Sequence, residues 1–284
     1  MKLMGLVIHF FRKDEAETFY YKLNREKLAS KIHFEIEEGK TCFIKVDMQP
    51  EKMNDTWKRV IHALIFVFIQ YRLPTLAKGI LKKYYYYQNQ LEIMQITPIL
   101  QSVLHNPRKY GTQPDVQSAS NFYQLFEEKV TRSPVLSFDQ LVDEQEEFFA
   151  GHLIDVTGYA IEEWKREQDY QDFIHRLRDF FRERTPKTNL LIITYHHEFQ
   201  FYRENGRRYS TSELKALQNK ESLHFIDLLS SEFPLSSLVG IAPESVLIYT
   251  TKPSDPKIIF LQNIFQESVR VMSIEKFPFV GKKA

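Results

Sequence analysis

The apolar stripe between residues 138 and 181 constrains this fold more than any other feature. Phe138, Leu141, Val142, Phe148, Phe149, Leu153, Val156, Tyr159, Ala160 and Trp164 recur at the spacing of one helix face. After the polar run Lys165-Arg166-Glu167-Gln168-Asp169 the series restarts with Tyr170, Phe173, Ile174, Leu177 and Phe181. Two successive helices are expected, each burying one face in a core. The stretch holds no nucleophile elbow, no metal-ligand spacing and no phosphate loop.

Around that stripe the sequence reads as an α+β, helix-rich fold. Residues 3–10 suit a first strand, 13–30 a helix with Ala16, Phe19, Tyr20, Leu23 and Leu28 on its apolar face, and 33–37 with 42–46 a hairpin turning at Glu38-Gly39-Lys40. The middle is helical. One helix, with Trp57, Val60, Ile61, Leu64, Ile65 and Phe68 inward, is expected to end before Pro74; others follow over 75–87 and 90–104, the last interrupted by Pro98. Residues 106–120, polar with two prolines and a glycine, read as a linker or long loop, and 121–129 as a short helix.

The C-terminal part is expected to pack helices on a small mixed sheet. Strands over 190–195 and 198–202 flank His196-His197, and Asn205-Gly206 turns the chain toward 207–209. Ser210 and Glu213 match a capping box. A helix over 224–239 is expected to kink at Pro234. Strand 245–250, helix 255–266 and strand 269–273 form one parallel β-α-β unit. The domain expectation is therefore an N-terminal α/β element plus helices over 1–110, a linker and short helix over 111–132, and a helix-plus-sheet domain over 133–284.

Charge and cysteine content narrow the function classes. The 38 Lys+Arg against 37 Asp+Glu give a formal net charge of +1, which removes the bulk electrostatic argument for nucleic acid or an anionic membrane. Cys42 stands alone, so no intramolecular disulfide forms and a reducing, cytoplasmic setting is expected. Residues 3–11 are apolar, but Arg12-Lys13-Asp14-Glu15 follows at once, as in a strand rather than a signal peptide. The apolar run 60–69 is about half the ~20 residues a membrane helix needs, so a core helix is expected and no transmembrane segment.

Three short clusters carry chemistry-bearing residues. His196-His197-Glu198 begins like a zinc-protease motif, but Phe201 stands where the second histidine belongs; the paired cysteines of zinc deaminases are also missing. Lys82-Lys83 before Tyr84–Tyr87 mixes cations and aromatics as single-strand nucleic-acid grooves do, yet at about 100° per residue four helical tyrosines cannot line one groove, and at least one or two must pack inward. The loop Thr250-Thr251-Lys252-Pro253-Ser254-Asp255 follows a strand and precedes a helix, where open sheets bind ligands, but it lacks glycine. Asp255 reads as a helix cap. Arg203, Arg207 and Arg208 form a basic tip that receives no function. No G-x-G-x-x-G, Walker A or G-x-S-x-G sequence occurs.

Three blocks resemble one family in order and spacing. They are Leu81-Lys82-Lys83-Tyr84-Tyr85-Tyr86-Tyr87 with Leu91-Glu92-Ile93; Asp155-Val156-Thr157-Gly158-Tyr159-Ala160-Ile161-Glu162 with 168–174 and Leu177-Arg178-Asp179-Phe180-Phe181; and 241–248 with Leu261-Gln262-Asn263-Ile264-Phe265. Together, from about Trp57 onward, they resemble the YtxC-like sporulation proteins of endospore-forming bacteria. The resemblance implies a sporulation-associated protein of undefined biochemical activity. The reading favoured here is a non-catalytic cytosolic factor with a protein partner. An enzyme with its site in the C-terminal sheet is the alternative, and a nucleic-acid-binding regulator the second. No residue is assigned a catalytic, binding, cofactor or metal role, no cofactor is expected, and the oligomeric state is left open.

Overall fold

A computed structural model describes residues 4–25, 32–36, 41–48, 53–105, 116–218 and 235–279. By packing, the chain divides into two units, 1–167 and 168–284.

The first unit carries a four-stranded sheet in the order β2-β3-β1-β4. β1 (Met4–Phe10) pairs antiparallel with β3 (Cys42–Met48), which pairs antiparallel with β2 (Ile32–Ile36). The expected hairpin is thus present, though its turn lies outside the described residues. β4 (Val135–Ser137) joins β1 in parallel. The sequence gives no expectation of this strand, because three residues carry no periodicity. It ties the segment after Ser133 to the N-terminal sheet, whereas the sequence reading starts its C-terminal domain there.

α1 (Lys13–Arg25) buries Ala16, Phe19 and Leu23; α2 (Met53–Val67), α3 (Leu73–Tyr84), α4 (Gln90–His105), α5 (Val116–Arg132) and α6 (Phe138–Glu144) follow. Helices α1 and α6 pack on the sheet, and further helices pack on one another beside it. Phe68, Phe122, Phe126 and Phe149 form an aromatic centre, with the Phe68 and Phe149 rings 4.3 Å apart. Cys42 is buried in the same core, which raises its thiol pKa and keeps it unreactive. Of the expected linker, residues 106–115 lie outside the described residues, and α5 already runs from Val116.

The helix expected to end before Pro74 instead continues. α2 and α3 are joined by a π-helical turn, Phe68–Arg72, so helix runs unbroken through Met53–Tyr84. Pro74 is the cause. Lacking an N–H, it leaves one carbonyl of the preceding turn without a donor. The Leu73 N–H reaches back to Phe68 O, and the orphaned Ile69 carbonyl accepts instead from the Gln101 side chain at 2.9 Å. By length and composition this helix could cross a membrane, yet half of its apolar window is buried inside the protein.

A second correction concerns the stripe itself. α6 stops at Gln145, and α7 (Glu146–Glu183) then runs for 38 residues without a break. The polar run 165–169 lacks apolar residues but consists largely of good helix formers, so it continues the helix as a solvated stretch. α4 likewise contains Pro98 without interruption.

The second unit is built on the order β6-β5-β7-β8. β5 (Thr188–Tyr195), β7 (Pro243–Thr250) and β8 (Val269–Ser273) are parallel, and β6 (Phe199–Arg203) is antiparallel to β5. β7, α10 (Pro256–Phe265) and β8 form the expected β-α-β unit, with Asp255 capping Lys257 N–H at 2.9 Å. α8 (Thr211–Gln218) opens with the expected capping box: Glu213 N–H donates to Ser210 Oγ and Ser210 N–H to Glu213 Oε2. α9 (Leu235–Ile241) is the described part of the helix expected over 224–239; Pro234 lies outside the described residues. The third strand expected after Asn205-Gly206 reduces to a single bridge, Tyr202 to Arg208. The architecture is a helix-rich α+β fold with two small mixed sheets.

Candidate functional site

The four tyrosines end α3 rather than continuing it. Tyr85 sits at the helix end with φ −112°, and Tyr86 adopts the left-handed conformation at φ 60°. The Tyr87 N–H then returns to Leu81 O at 3.0 Å and satisfies a carbonyl of the last turn. Glycine or asparagine normally fills a left-handed helix end, because a Cβ there meets the backbone. Tyr86 therefore carries real backbone strain of about 1–2 kcal/mol.

Two rings pack inward and two do not. The Tyr85 hydroxyl donates to Ile154 O at 2.8 Å. Tyr87 meets Trp164 edge-on at 6.2 Å, and Trp164 Nε1 donates to Gln95 Oε1 at 3.1 Å. Burial raises the pKa of both inward phenols. Tyr86 is 81% exposed and Tyr84 44%. Beside them on α4, Leu91 is 67% and Met94 61% exposed, since Ile93, Ile96 and Leu100 take the inward face. Lys78, Lys82 and Lys83 are exposed as well, with Lys83 Nζ 5.2 Å from the Tyr84 ring centre. No carboxylate occurs from residue 75 to 91. The turn thus exposes aromatic and aliphatic side chains close in sequence to three lysines, while Glu92, Asp155 and Glu162 act electrostatically on the inward tyrosines. Sequence reasoning missed Leu91 and Met94, although the helical period of α4 already points them outward.

Two other sequence candidates come together at the carboxyl ends of β5 and β7. His196 Nδ1 lies 3.3 Å from Thr251 Oγ1, and the His196 and His197 rings meet edge-on at 4.2 Å. Below them the Tyr195 hydroxyl donates to Asp255 Oδ2 at 3.0 Å. Asp255 is already used by the helix cap, and both histidines and Glu198 are exposed. No group of three potential metal ligands stands together among the described residues. Glu213 offsets part of the basic tip: Arg203 donates to Glu213 Oε1 at 3.0 Å and stacks on Tyr209, with Arg207 3.6 Å from the same carboxylate.

Among the described residues Glu15 and Asp139 are buried carboxylates joined by Arg72, a cluster the sequence does not single out. Arg72 Nη2 donates to Glu15 Oε2 at 2.8 Å and also to Asp139, whose second oxygen accepts the Phe11 N–H at 2.8 Å. Arg72 Nε and Glu15 Oε1 form a further ion pair at 2.6 Å. Burial pushes the Glu15 carboxyl above its ordinary range against the pull of Arg72. The cluster locks α1, the π-turn and α6 together, and its groups are spent on one another.

Residues 58–270 match the YtxC-like family. The uncharacterized protein YtxC of Bacillus subtilis (strain 168) is 30% identical over 133 residues, 44% of this chain and 44% of that protein. The alignment thus spans less than half the length of that relative. No solved structure matches the chain.

Proposed function

The chain belongs to the YtxC-like family, and from that premise we propose that it is a sporulation-associated cytosolic factor that acts without catalysis, by binding another protein through the tyrosine turn. The observation that carries this reading is Tyr86, held in a strained left-handed conformation with its ring 81% exposed. The turn needs a left-handed residue, which glycine would supply without strain, so a tyrosine at that position suggests that its ring is used. A tyrosine fixed at a helix end offers large contact area at small entropic cost, the property of interface anchors. The lysines on one side select the occupant: an acidic protein surface whose apolar side chains meet Tyr86, Leu91 and Met94. A single strand of nucleic acid is disfavoured because only two of the four rings face outward, too few for a run of stacked bases. The lone, buried Cys42 suits a reducing cytosol.

The test is affinity capture from sporulating cells with wild-type protein and Tyr86→Gly. A stoichiometric acidic partner retained by the first, lost by the second and released by salt supports the reading. Equal retention contradicts it, and co-purified RNA or DNA in place of protein would favour the regulator.

An enzyme remains the second reading, favoured by the approach of His196 to Thr251 at the strand ends where open sheets bind ligands. A small molecule retained by the purified protein and lost in His196→Ala would support it.

A further inference from the structure

A cleft of about 540 Å³ opens in the second unit, within the ~300–1,000 Å³ typical of small-molecule sites. Its apolar wall is formed by Phe181, Ile264 and Phe265, with the two rings 4.8 Å apart. Arg178 and Arg184, both half-buried, also line it. Arg178 Nε donates to Asn263 O at 2.6 Å, and Arg184 Nη1 to Val239 O at 3.1 Å. The acceptor of Arg178 is a neutral carbonyl, so it orients that guanidinium without cancelling its charge. Among the described residues Arg178 meets no carboxylate, and its two terminal nitrogens stay available.

The rim sets the limits on a ligand. Arg182 is held by Asp179 at 2.6 Å, and His175 lies 3.3 Å from the same residue. Glu244 and Glu267 are exposed carboxylates that repel a polyanion. The backbone is strained here: Gln266, which lines the cleft, has φ 46° and ψ −114°, and Ala242, beside the lining residue Pro243, has φ 46°. These are two of the three non-glycine residues with positive φ among the described residues, and such outliers cluster at ligand sites.

We propose that this cleft binds a small molecule with an apolar body and a single carboxylate or phosphate-type group, the anion on the Arg178 fork and the body against Phe181 and Phe265. The proposal does not depend on the role of the tyrosine turn.

Calorimetric titration of the full chain with phenyl phosphate, benzoate and inorganic phosphate tests the assignment. One of the aromatic anions binds about tenfold or more tightly than inorganic phosphate, and which one it is identifies the anionic group. Arg178→Gln weakens that binding about tenfold, while Glu244→Gln strengthens it about twofold by removing rim repulsion. No binding of either aromatic anion, inorganic phosphate binding as tightly, or an affinity unchanged in Arg178→Gln overturns the proposal. Should Arg178→Gln fail to fold, the Glu244→Gln gain decides, because misfolding cannot produce it.

Discussion

The Tyr85 hydroxyl occupies the space that a side chain on Gly158 would need: a Cβ built there falls 2.8 Å from Tyr85 Oη. Two blocks of the family resemblance, the tyrosine run and the segment around Asp155–Glu162, therefore meet in space. Gly158→Ala gains about 1 kcal/mol of helix propensity, but pushes the phenol off Ile154 O and overpacks the contact, at a cost of about 1–3 kcal/mol. A net loss is expected in chemical denaturation. With Tyr85→Phe in the background the nearest ring carbon lies 3.6 Å away, and the same substitution becomes stabilising. A glycine kept for any other reason would give the same sign in both backgrounds.

Tyr85 also sets an alkaline limit. Its folded-state pKa is raised, first by burial and then by Asp155. The contribution is complete below the unfolded value of about 10 and is lost as pH rises through the folded value. Thermal unfolding above pH ~10 should fall less steeply with pH in Tyr85→Phe than in the wild type.

The buried charge cluster predicts a large loss on breaking one partner. Arg72→Met leaves Glu15, whose side chain is fully buried, without its counter-charge, and is expected to cost about 3–5 kcal/mol. With its pKa raised, Glu15 contributes stability that is complete below the ordinary value of about 4.3 and lost as pH rises through the folded value. Glu15→Gln removes that slope, read from denaturation midpoints between acid and neutral pH.

Gln101 and Pro74 are coupled through one carbonyl. Gln101→Leu orphans Ile69 O and is expected to cost about 1–3 kcal/mol. Pro74→Ala supplies an N–H that can reach Ile69 O within the π-turn, so Gln101→Leu costs less in that background. Equal costs in the two backgrounds would contradict this account of the turn.

These cases also show what the sequence made legible. Elements with strong periodicity or explicit chemistry were readable: the β7-α10-β8 unit through Pro256 and its Asp255 cap, the capping box at Ser210, and the apolar faces of α1 and α2. Pro74 and the run 165–169 misled because each removes one local signal, an N–H or an apolar residue, without removing the tertiary support that keeps a helix going. β4 was invisible, since its register is set by β1 far away in sequence. For the tyrosine run, geometry required one or two rings to pack inward, but which two depends on the helix ending at Tyr84. The cleft was unreadable because Phe265 comes from a segment far in sequence from Arg178 and Arg184, and neither their types nor their spacing mark a site.

The central claim rests on Tyr86. Replacing it with glycine relieves the left-handed strain and removes the exposed ring while touching nothing buried. The measurement is the stability of Tyr86→Gly alongside its retention of the captured partner. The account predicts a fold stabilised by roughly 0.5–1 kcal/mol that no longer holds its partner. A variant that is more stable and binds unchanged would contradict it.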